Sequence, residues 1–180
     1  MSTSIDPLAM RLAMSQFATG VTVVTTVAPT GDPAGCTVSA FSSLSLDPPL
    51  VLVCIGQERS IHAVLRDGPG FAVNILTVEQ RAVAYSFAKG DHDRFAATAS
   101  LDGRHGIPLI QDALAHIQCD LHALLDGGDH TIVVGRVRQV DLGEGEPLIY
   151  HHGNFLDFPT SDWERAAATA APEWLLSAPW

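Results

Sequence analysis

The stretch TVSAFSSLSLDPPLVLVCIG, residues 37–56, combines strand-forming residues with closely spaced small hydroxyl side chains. Its first half carries the threonine and the serines, Asp47-Pro48-Pro49 interrupts it, and Leu50–Ile55 continues as an almost wholly apolar run. A planar ring lying against a strand needs small side chains beneath it and backbone donors and acceptors at its edge, and this segment offers both. Cross-strand hydroxyl pairs, which need no ligand, are the alternative explanation.

The sequence on either side of this stretch predicts antiparallel β-structure. β-Branched and alternating apolar residues indicate further strands at 21–28, 71–76, 115–125 and 130–140, and a last strand at 147–155. Turn residues at 29–33 and 126–129 indicate two hairpins, the first of which joins 21–28 to the quoted segment. About six strands with short helices between them predict a closed or partly closed antiparallel barrel.

Capping signals predict three short helices between these strands. The candidate caps are Asp6 with Pro7 at the first helical position, Ser60, and Thr77 in a capping box with Gln80. The corresponding helices are expected to end near Phe17, Asp67 and Ala88. The polar segment 90–106 is expected at the surface, and the alanine-rich tail from 160 is expected to form a helix on the body or on a second subunit.

Length and charge limit the class of protein. The 180 residues, 47% hydrophobic and 17% charged, are expected to fold as one globular domain. A net charge of −10 disfavours nucleic acid and anionic membranes as partners. Because Lys89 is the single lysine, an anionic ligand must be held by a few local groups such as Arg59, Lys89 and Arg94.

The cysteines and histidines indicate neither disulfides nor a metal centre. Cys36, Cys54 and Cys119 are odd in number, widely spaced and set in apolar sequence, which favours buried thiols in a reducing compartment. The adjacent His151 and His152 would point to opposite faces of a strand, so no metal is expected. Since the N-terminus does not look like a signal peptide and no apolar run could span a bilayer, a cytoplasmic location is expected.

The Arg59-Ser60 helix start is a candidate phosphate site. A helix N-terminus offers free N–H groups and a positive potential, to which Ser60 would add a hydroxyl and Arg59 a charge. The alternative is that Ser60 only caps the helix while Arg59 is solvated.

Seven motifs in order carry a family resemblance. They are FATGVTVVTT (17–26), the TVSAFSSLSLDPPLVLVCI run (37–55), Ser60, FAVNIL with Gln80 (71–80), SFAKGDHDRF (86–95), DGGDHTIVVGRV (126–137) and PLIYHHGNF (147–155). Together they resemble the flavin reductase family, the small NAD(P)H-dependent reductase components of two-component flavin monooxygenases. The resemblance covers about residues 6–158 of a single domain spanning 1–180, and leaves 159–180 as a tail.

The resemblance implies a mainly β split-barrel FMN-binding fold with short helices and an antiparallel, Greek-key-like barrel. It further implies a homodimer that binds FAD or FMN and a nicotinamide dinucleotide, with NADH expected before NADPH. Reduced flavin would then diffuse to a partner oxygenase of aromatic oxidation or natural-product biosynthesis. Hydride would pass from the nicotinamide to the flavin, and no side chain need donate a proton for that transfer.

The resemblance also assigns residues by position. Those matching flavin contacts are Thr37, Val38, Ser39, Ala40, Phe41, Ser42, Ser43, Cys54, Ile55, Ser60, Ile61, Phe87, Lys89, Arg94 and Phe95. Those matching dinucleotide contacts are His130, Tyr150, His152, Gly153, Asn154 and Phe155, with His130 of the GDH motif beside the nicotinamide as the candidate catalytic residue. The His151-His152 pair and Phe155 stand where arginine and tyrosine are more often expected, which leaves the choice between NADH and NADPH open.

Other interpretations explain less of the sequence. Lys89 on a solvated turn and His130 after a hairpin turn are the ordinary roles of those residues. The chain lacks a Rossmann GxGxxG turn, a GxSxG elbow and a Walker A loop, so a dinucleotide would have to bind on the barrel. The alternative functions are a flavin-binding split-barrel module without catalysis and a plain structural or dimerisation domain.

Overall fold

The computed structural model describes residues 5–91 and 93–156, which form a mainly β fold with short helices. The strands are β1 Thr19–Gly20, β2 Thr22–Val27, β3 Pro33–Val38, β4 Phe41–Leu46, β5 Pro49–Gly56, β6 Phe71–Ile75, β7 Ser100–Asp102, β8 Pro108–Ile110, β9 Ala115–Gly127, β10 His130–Leu142, β11 Ile149–His151 and β12 Asn154–Leu156. The helices are α1 Pro7–Met14, α2 Ser60–Asp67 and α3 Arg81–Lys89. None of the helices within the described ranges has the length and hydrophobicity needed to cross a bilayer.

One antiparallel sheet forms the barrel, in the strand order β3-β2-β6-β9-β10-β5-β4. Its two edge strands, β3 and β4, are consecutive in the chain and are joined only by Ser39 and Ala40. The Cys54 N–H donates to the carbonyl of Ala40 at 3.0 Å, and β3 lies against β5. The sheet therefore curls until its two edges meet, and the line along which β3 lies against β5 is here called the seam. Among the described strands, β3 is paired with β2 alone.

The barrel interior is filled by side chains from both sides of this seam. The cluster comprises Val24, Ala34, Cys36, Val38, Val51, Val53, Ile55, Ile61, Leu65, Phe71, Val73, Cys119 and Val133, with α2 contributing Ile61 and Leu65. A Cβ atom at Gly135 would overlap the ring of Phe71, so glycine at this position is what lets the ring pack against β10. A second cluster packs α3 against the outside of the sheet.

The helix starts show which local signals were reliable. The Leu8 N–H donates to the Asp6 carboxylate at 3.0 Å, and Thr77 and Gln80 form the predicted capping box, so both caps are confirmed. The prediction for Ser60 is wrong by one position, since Arg59 is the cap residue and Ser60 is the first helical residue. Helix α1 ends at Met14, before the predicted Phe17.

Three strand predictions need correction in detail. Residues 37–56 contain the end of β3, all of β4 and all of β5, so the quoted stretch runs from one edge of the sheet to the other. Residues 147–155 form two short strands, because His152 and Gly153 adopt positive φ angles of 52° and 79° and reverse the chain. The polar segment 90–106 contains the extra strand β7, which pairs with β8. The predicted helix beyond residue 160 lies outside the described residues.

Candidate functional site

Two neighbouring cavities open along the seam of the barrel. The smaller, here called the seam cavity, encloses about 160 Å³ between residues 36–40 of β3 and its link, residues 54–56 of β5, Arg59 and His130. The larger, here called the groove, is open to solvent and has a volume of about 1110 Å³. Ser39, Ala40 and Cys54 line both, so the two cavities form one continuous site.

The seam cavity has the features of a phosphate site. Helix α2 begins at its edge, and no side chain caps the first N–H groups, which have no acceptor within the helix. The Arg59 guanidinium stays beside them, because its Nη1 donates to the carbonyl of Ala88 at 3.0 Å and its Nε lies 3.4 Å from the Glu58 carboxylate. Free N–H groups at a helix N-terminus together with a fixed cation favour an anion.

His130 lies at the rim of this cavity on the β9–β10 hairpin. The hairpin is fixed to the end of β5 by two hydrogen bonds, from the Gln57 side chain to the Gly128 carbonyl at 3.0 Å and from the Gln57 N–H to the Asp129 carbonyl at 3.1 Å. The imidazole Nδ1 lies 2.7 Å from the Asp129 carboxylate. This hydrogen bond and the charge of His130 hold the pKa of Asp129 below its usual value. The imidazole thus has one nitrogen engaged and its ring half exposed to the site.

The groove lies between strands of the barrel sheet and two elements outside it, α1 with the segment that follows and the β11–β12 hairpin. It is lined by residues 11–20 at the end of α1 and beyond, by residues 39–42 of the β3–β4 link and β4, by Leu52 and Cys54 of β5, and by the tip of the β11–β12 hairpin. The two outer elements hold each other, since the His152 N–H donates to the Ser15 carbonyl at 3.0 Å and the His152 ring contacts the Gln16 amide. Asn154 stabilises the tip by donating to the His152 carbonyl at 2.9 Å.

The thiols near the site differ in their surroundings. Burial raises the pKa of Cys36 to about 11, although Arg59 and Arg94 oppose the shift. Burial likewise raises the pKa of Cys119, in the barrel interior, to about 12. Cys54 is half-buried and lines both cavities. All three are free thiols, and of the two that line a cavity, Cys36 and Cys54, Cys54 is the less buried.

Most residues assigned from the family resemblance line one of the two cavities. The seam cavity takes Thr37, Val38, Ser39, Ala40, Cys54, Ile55 and His130, and the groove takes Phe41, Ser42, Tyr150, His152 and Gly153 in addition to the three shared residues. The structure therefore brings together the flavin and the dinucleotide sets that lie far apart in the sequence.

Other assigned residues lie outside both cavities. Ile61 and Phe87 are fully buried in the two core clusters, and Phe95 and Phe155 pack against the outer cluster. Ser43, Ser60 and Lys89 are exposed, and Asn154 holds the hairpin turn. The Arg94 guanidinium lies 5.8 Å and 5.7 Å from the ring centroids of Phe87 and Phe95. Contact of these residues with a ligand stays a prediction.

The groove also contains residues that the sequence did not single out. Arg11, Phe17 and Leu52 line it, and so does Thr19, whose hydroxyl is buried with no partner among the described residues. In the sequence, Arg11 lies in the first predicted helix, and Phe17, Thr19 and Leu52 lie in motifs of the family resemblance without an assigned contact. The scarcity of positive charge drew attention to Arg59, Lys89 and Arg94 and not to Arg11.

The two cavities fit a flavin with its phosphate. The seam cavity supplies the cation and the helix N–H groups, while Ser39, Ala40 and Ser42 leave space for a ring in a mainly apolar groove. The orphaned hydroxyl of Thr19 is a further polar group that a ligand can satisfy. No cluster of three potential metal ligands occurs in the parts of the chain that the structure describes.

Comparison with known proteins agrees with this geometry. Residues 14–159 match the flavin reductase like domain. The flavin-dependent monooxygenase reductase subunit HsaB of Rhodococcus jostii is 40% identical over 154 residues, which are 84% of this chain and 78% of that protein. A probable flavin reductase of Rhizobium meliloti is 39% identical over 83% of this chain, and the chain spans only 48% of its length.

A solved structure shows the same fold with ligands. The NADH:FAD oxidoreductase SgcE6 of Streptomyces globisporus, in complex with NAD and FAD fragments, superposes with a TM-score of 0.81 at 37% identity, covering 88% of this chain and 98% of that one. The predicted split-barrel fold is thereby confirmed. A matched domain that covers most of the chain, close relatives and a shared fold lead to one conclusion: this chain belongs to the flavin reductase family.

Proposed function

We propose that this protein reduces free FAD or FMN with NADH, with NADPH as the less favoured donor, and releases the reduced flavin. The reaction is NADH + FAD → NAD⁺ + FADH⁻, in which the C4–H bond of the nicotinamide breaks and an N5–H bond of the flavin forms. The single observation that carries the proposal is that a cavity with the features of a phosphate site shares Ser39, Ala40 and Cys54 with a mainly apolar groove of about 1110 Å³.

The chain's own residues have positioning roles in this proposal. Arg59 and the start of α2 hold the flavin phosphate in the seam cavity, and the backbone at Ser39 and Ala40 faces the edge of the ring. Bound flavin supplies the hydride acceptor, so the protein need only hold donor and acceptor in contact and exclude water. The mainly apolar walls of the groove serve both purposes.

His130 is proposed to orient the nicotinamide beside the flavin. Its Nδ1 is fixed by Asp129, and its place at the rim of the seam cavity puts the ring near the junction with the groove. Tyr150 and the tip at His152 and Gly153 line the groove, where the rest of the dinucleotide would lie.

Reduced flavin is proposed to reach a partner monooxygenase by diffusion. HsaB is named as the reductase subunit of a flavin-dependent monooxygenase, and a related protein of Rhodococcus opacus as the reductase component of a nitrophenol monooxygenase. The open groove supports release into solvent. Aromatic oxidation or natural-product biosynthesis is the proposed context.

The proposed assembly is a single-domain chain forming a homodimer in the cytoplasm. Large apolar side chains are exposed on edge strand β4 and on the long β9–β10 hairpin, namely Leu44 at 46%, Leu46 at 70%, Leu125 at 53% and Leu142 at 84%. Exposed apolar side chains of this size favour burial against a second copy. The three free thiols support a reducing compartment.

The test is oxidation of NADH and of NADPH, followed by absorbance, with FAD, FMN or riboflavin added in catalytic and in excess amounts. Turnover that requires added flavin and saturates with it supports a reductase that uses flavin as a substrate. Flavin binding without oxidation of either donor above the protein-free rate would contradict the proposal and leave a flavin-binding module.

A further inference from the structure

Arg11 stands out because the groove is poor in positive charge. It is the only arginine or lysine among the described residues that line the groove. The chain has 10 lysines and arginines against 20 acidic residues, so a cation facing a ligand-sized groove is uncommon in this molecule. A nicotinamide dinucleotide carries a pyrophosphate, which needs such a cation or an equivalent set of donors.

The guanidinium of Arg11 is available for a ligand. Arg11 is exposed in the last turn of α1, and the structure records no ion pair for it within the described residues. Its charge contributes, as the weakest of the causes, to the lowered pKa of Asp129, the carboxylate that holds His130. Arg11 therefore lies on a wall of the groove with an exposed side chain, and its charge acts as far as Asp129.

Most other arginines of the described chain are already engaged. Arg66 lies 3.5 Å from the Asp67 carboxylate, and Arg104 and Arg138 share Asp120 at 3.7 Å and 2.6 Å. Arg94 packs over two phenylalanine rings. Arg59 lines the seam cavity and Arg11 lines the groove, so each cavity has one arginine among its described lining residues.

We propose that Arg11 binds the pyrophosphate of the nicotinamide dinucleotide and thereby sets the KM for NADH. The inference rests on the proposed function. It assigns each of two anionic groups to one arginine: the flavin phosphate to Arg59 and the pyrophosphate of the dinucleotide to Arg11. Helix α1, which buries none of its own residues, then has a role in binding, and the His152–Ser15 hydrogen bond keeps it in place.

The experiment compares two hydride donors on the full-length Arg11→Gln variant, with FMN as the acceptor so that no adenylate of FAD is present. NADH carries the pyrophosphate, whereas 1-benzyl-1,4-dihydronicotinamide carries no phosphate. We expect the KM for NADH to rise about tenfold, the loss typical of one charge-assisted hydrogen bond in an open site, while the rate with the benzyl donor is unchanged. Arg11→Lys should recover part of the loss, and Arg136→Gln, an exposed arginine outside both cavities, is the matched control.

Three outcomes would overturn the assignment: an unchanged KM for NADH, an equal loss with both donors, which indicates a structural role for α1, or a raised KM for FMN alone. If the wild-type protein oxidises neither donor, the proposed function is wrong, whether or not Arg11 binds the dinucleotide. The assignment of Arg11 is then decided by the Kd for NADH measured from its fluorescence. A Kd about tenfold weaker in Arg11→Gln supports it, and equal Kd values reject it.

Discussion

The seam cavity and the groove are neighbours that share a wall, yet they are anchored differently. The seam cavity lies between elements whose next residues fill the barrel core, such as Val53 of β5 and Ile61 of α2, neither of which has exposed surface. The groove is bounded on one side by α1, in which no residue is buried, and by a hairpin tip attached to it through His152. Folding of the barrel therefore builds one cavity completely and the other only in part.

Because of this difference, substitutions in the two cavities are expected to act differently on the stability of the fold and on the affinity for ligands. A ligand in the seam cavity meets groups that the core has already ordered, so little conformational entropy is lost on binding. A ligand in the groove must also order side chains of α1 that few contacts restrain. Substitutions near the seam are thus expected to change both folding and flavin binding, whereas those in α1 should change binding alone.

The prediction with the largest expected effect compares the loss of a phenylalanine ring from the barrel core with the loss of one from the groove. Phe71→Ala removes a ring with no exposed surface from the barrel core and should lower the free energy of unfolding by ~3–5 kcal/mol. Phe17→Ala, whose ring is 69% exposed in the groove, should change it by less than ~0.5 kcal/mol. Urea titrations followed by circular dichroism measure both values. Similar losses in the two variants would show that the segment between α1 and β1 is as much a part of the folded core as β6.

The second prediction concerns the phosphate end of the seam cavity. Arg59→Gln should raise the Kd for FMN by about 10- to 100-fold, since a hydrogen bond to a charged group contributes ~1.5–3 kcal/mol. The Kd for riboflavin, which has no phosphate, should not change. Quenching of flavin fluorescence measures both constants.

A matched control for Arg59 lies on the same helix. Arg66→Gln removes a guanidinium that is paired with Asp67 in the last turn of α2 and should leave the Kd for FMN as it is. If Arg59→Gln weakens riboflavin and FMN alike, the arginine acts on the shape of the cavity and the phosphate lies elsewhere.

The third prediction concerns the junction of the two cavities. His130→Ala should lower kcat by about tenfold, because the nicotinamide loses a group that orients it, while the Kd for FMN stays within a factor of about two. Stopped-flow measurement of flavin reduction separates this step from product release. An unchanged rate with NADH would remove His130 from the reaction.

The prediction with the smallest expected effect concerns chemical labelling of Cys54, which lines both cavities. Raised pKa values keep Cys36 and Cys119 protonated at pH 8, since their thiols ionise only near pH 11 and 12. We therefore expect a disulfide reagent to modify one thiol per native chain, Cys54, and saturating FMN to slow that reaction. Cys54→Ala should abolish native labelling, and modification of two or three thiols before unfolding would disagree with the buried positions of the other two.

Much of the fold follows from local sequence signals. The Asp126-to-Asp129 turn between two alternating apolar runs predicts the β9–β10 hairpin, and Thr77 with Gln80 predicts the start of the segment that leads into α3. Closure of the barrel is harder to predict, because it depends on the two-residue link at Ser39 and Ala40, which carries the chain from one sheet edge to the other. No local pattern distinguishes that link from an ordinary bend.

The site was predictable to the extent that its residues belong to motifs. The run from Thr37 to Ser42 and His130 of the GDH motif line the cavities, while their contact with a ligand stays a prediction. Arg11 was not predicted, since the position of α1 depends on the tertiary contact of Ser15 with His152. Phe87 and Ile61 belong to the same motifs but are buried in the core clusters, because packing and not the motif decides which residues face a cavity; their contact with a ligand stays a prediction.

The wall formed by Ser39, Ala40 and Cys54 has a thermodynamic consequence. Because the two cavities share these lining residues, a ligand in one cavity is expected to influence the affinity of the other cavity for its ligand. Linkage requires this influence to be reciprocal: the factor by which bound flavin changes the Kd of the dinucleotide equals the factor by which the dinucleotide changes that of the flavin. A preferred order of binding can therefore arise from contact across one shared surface, without a second conformation of the barrel.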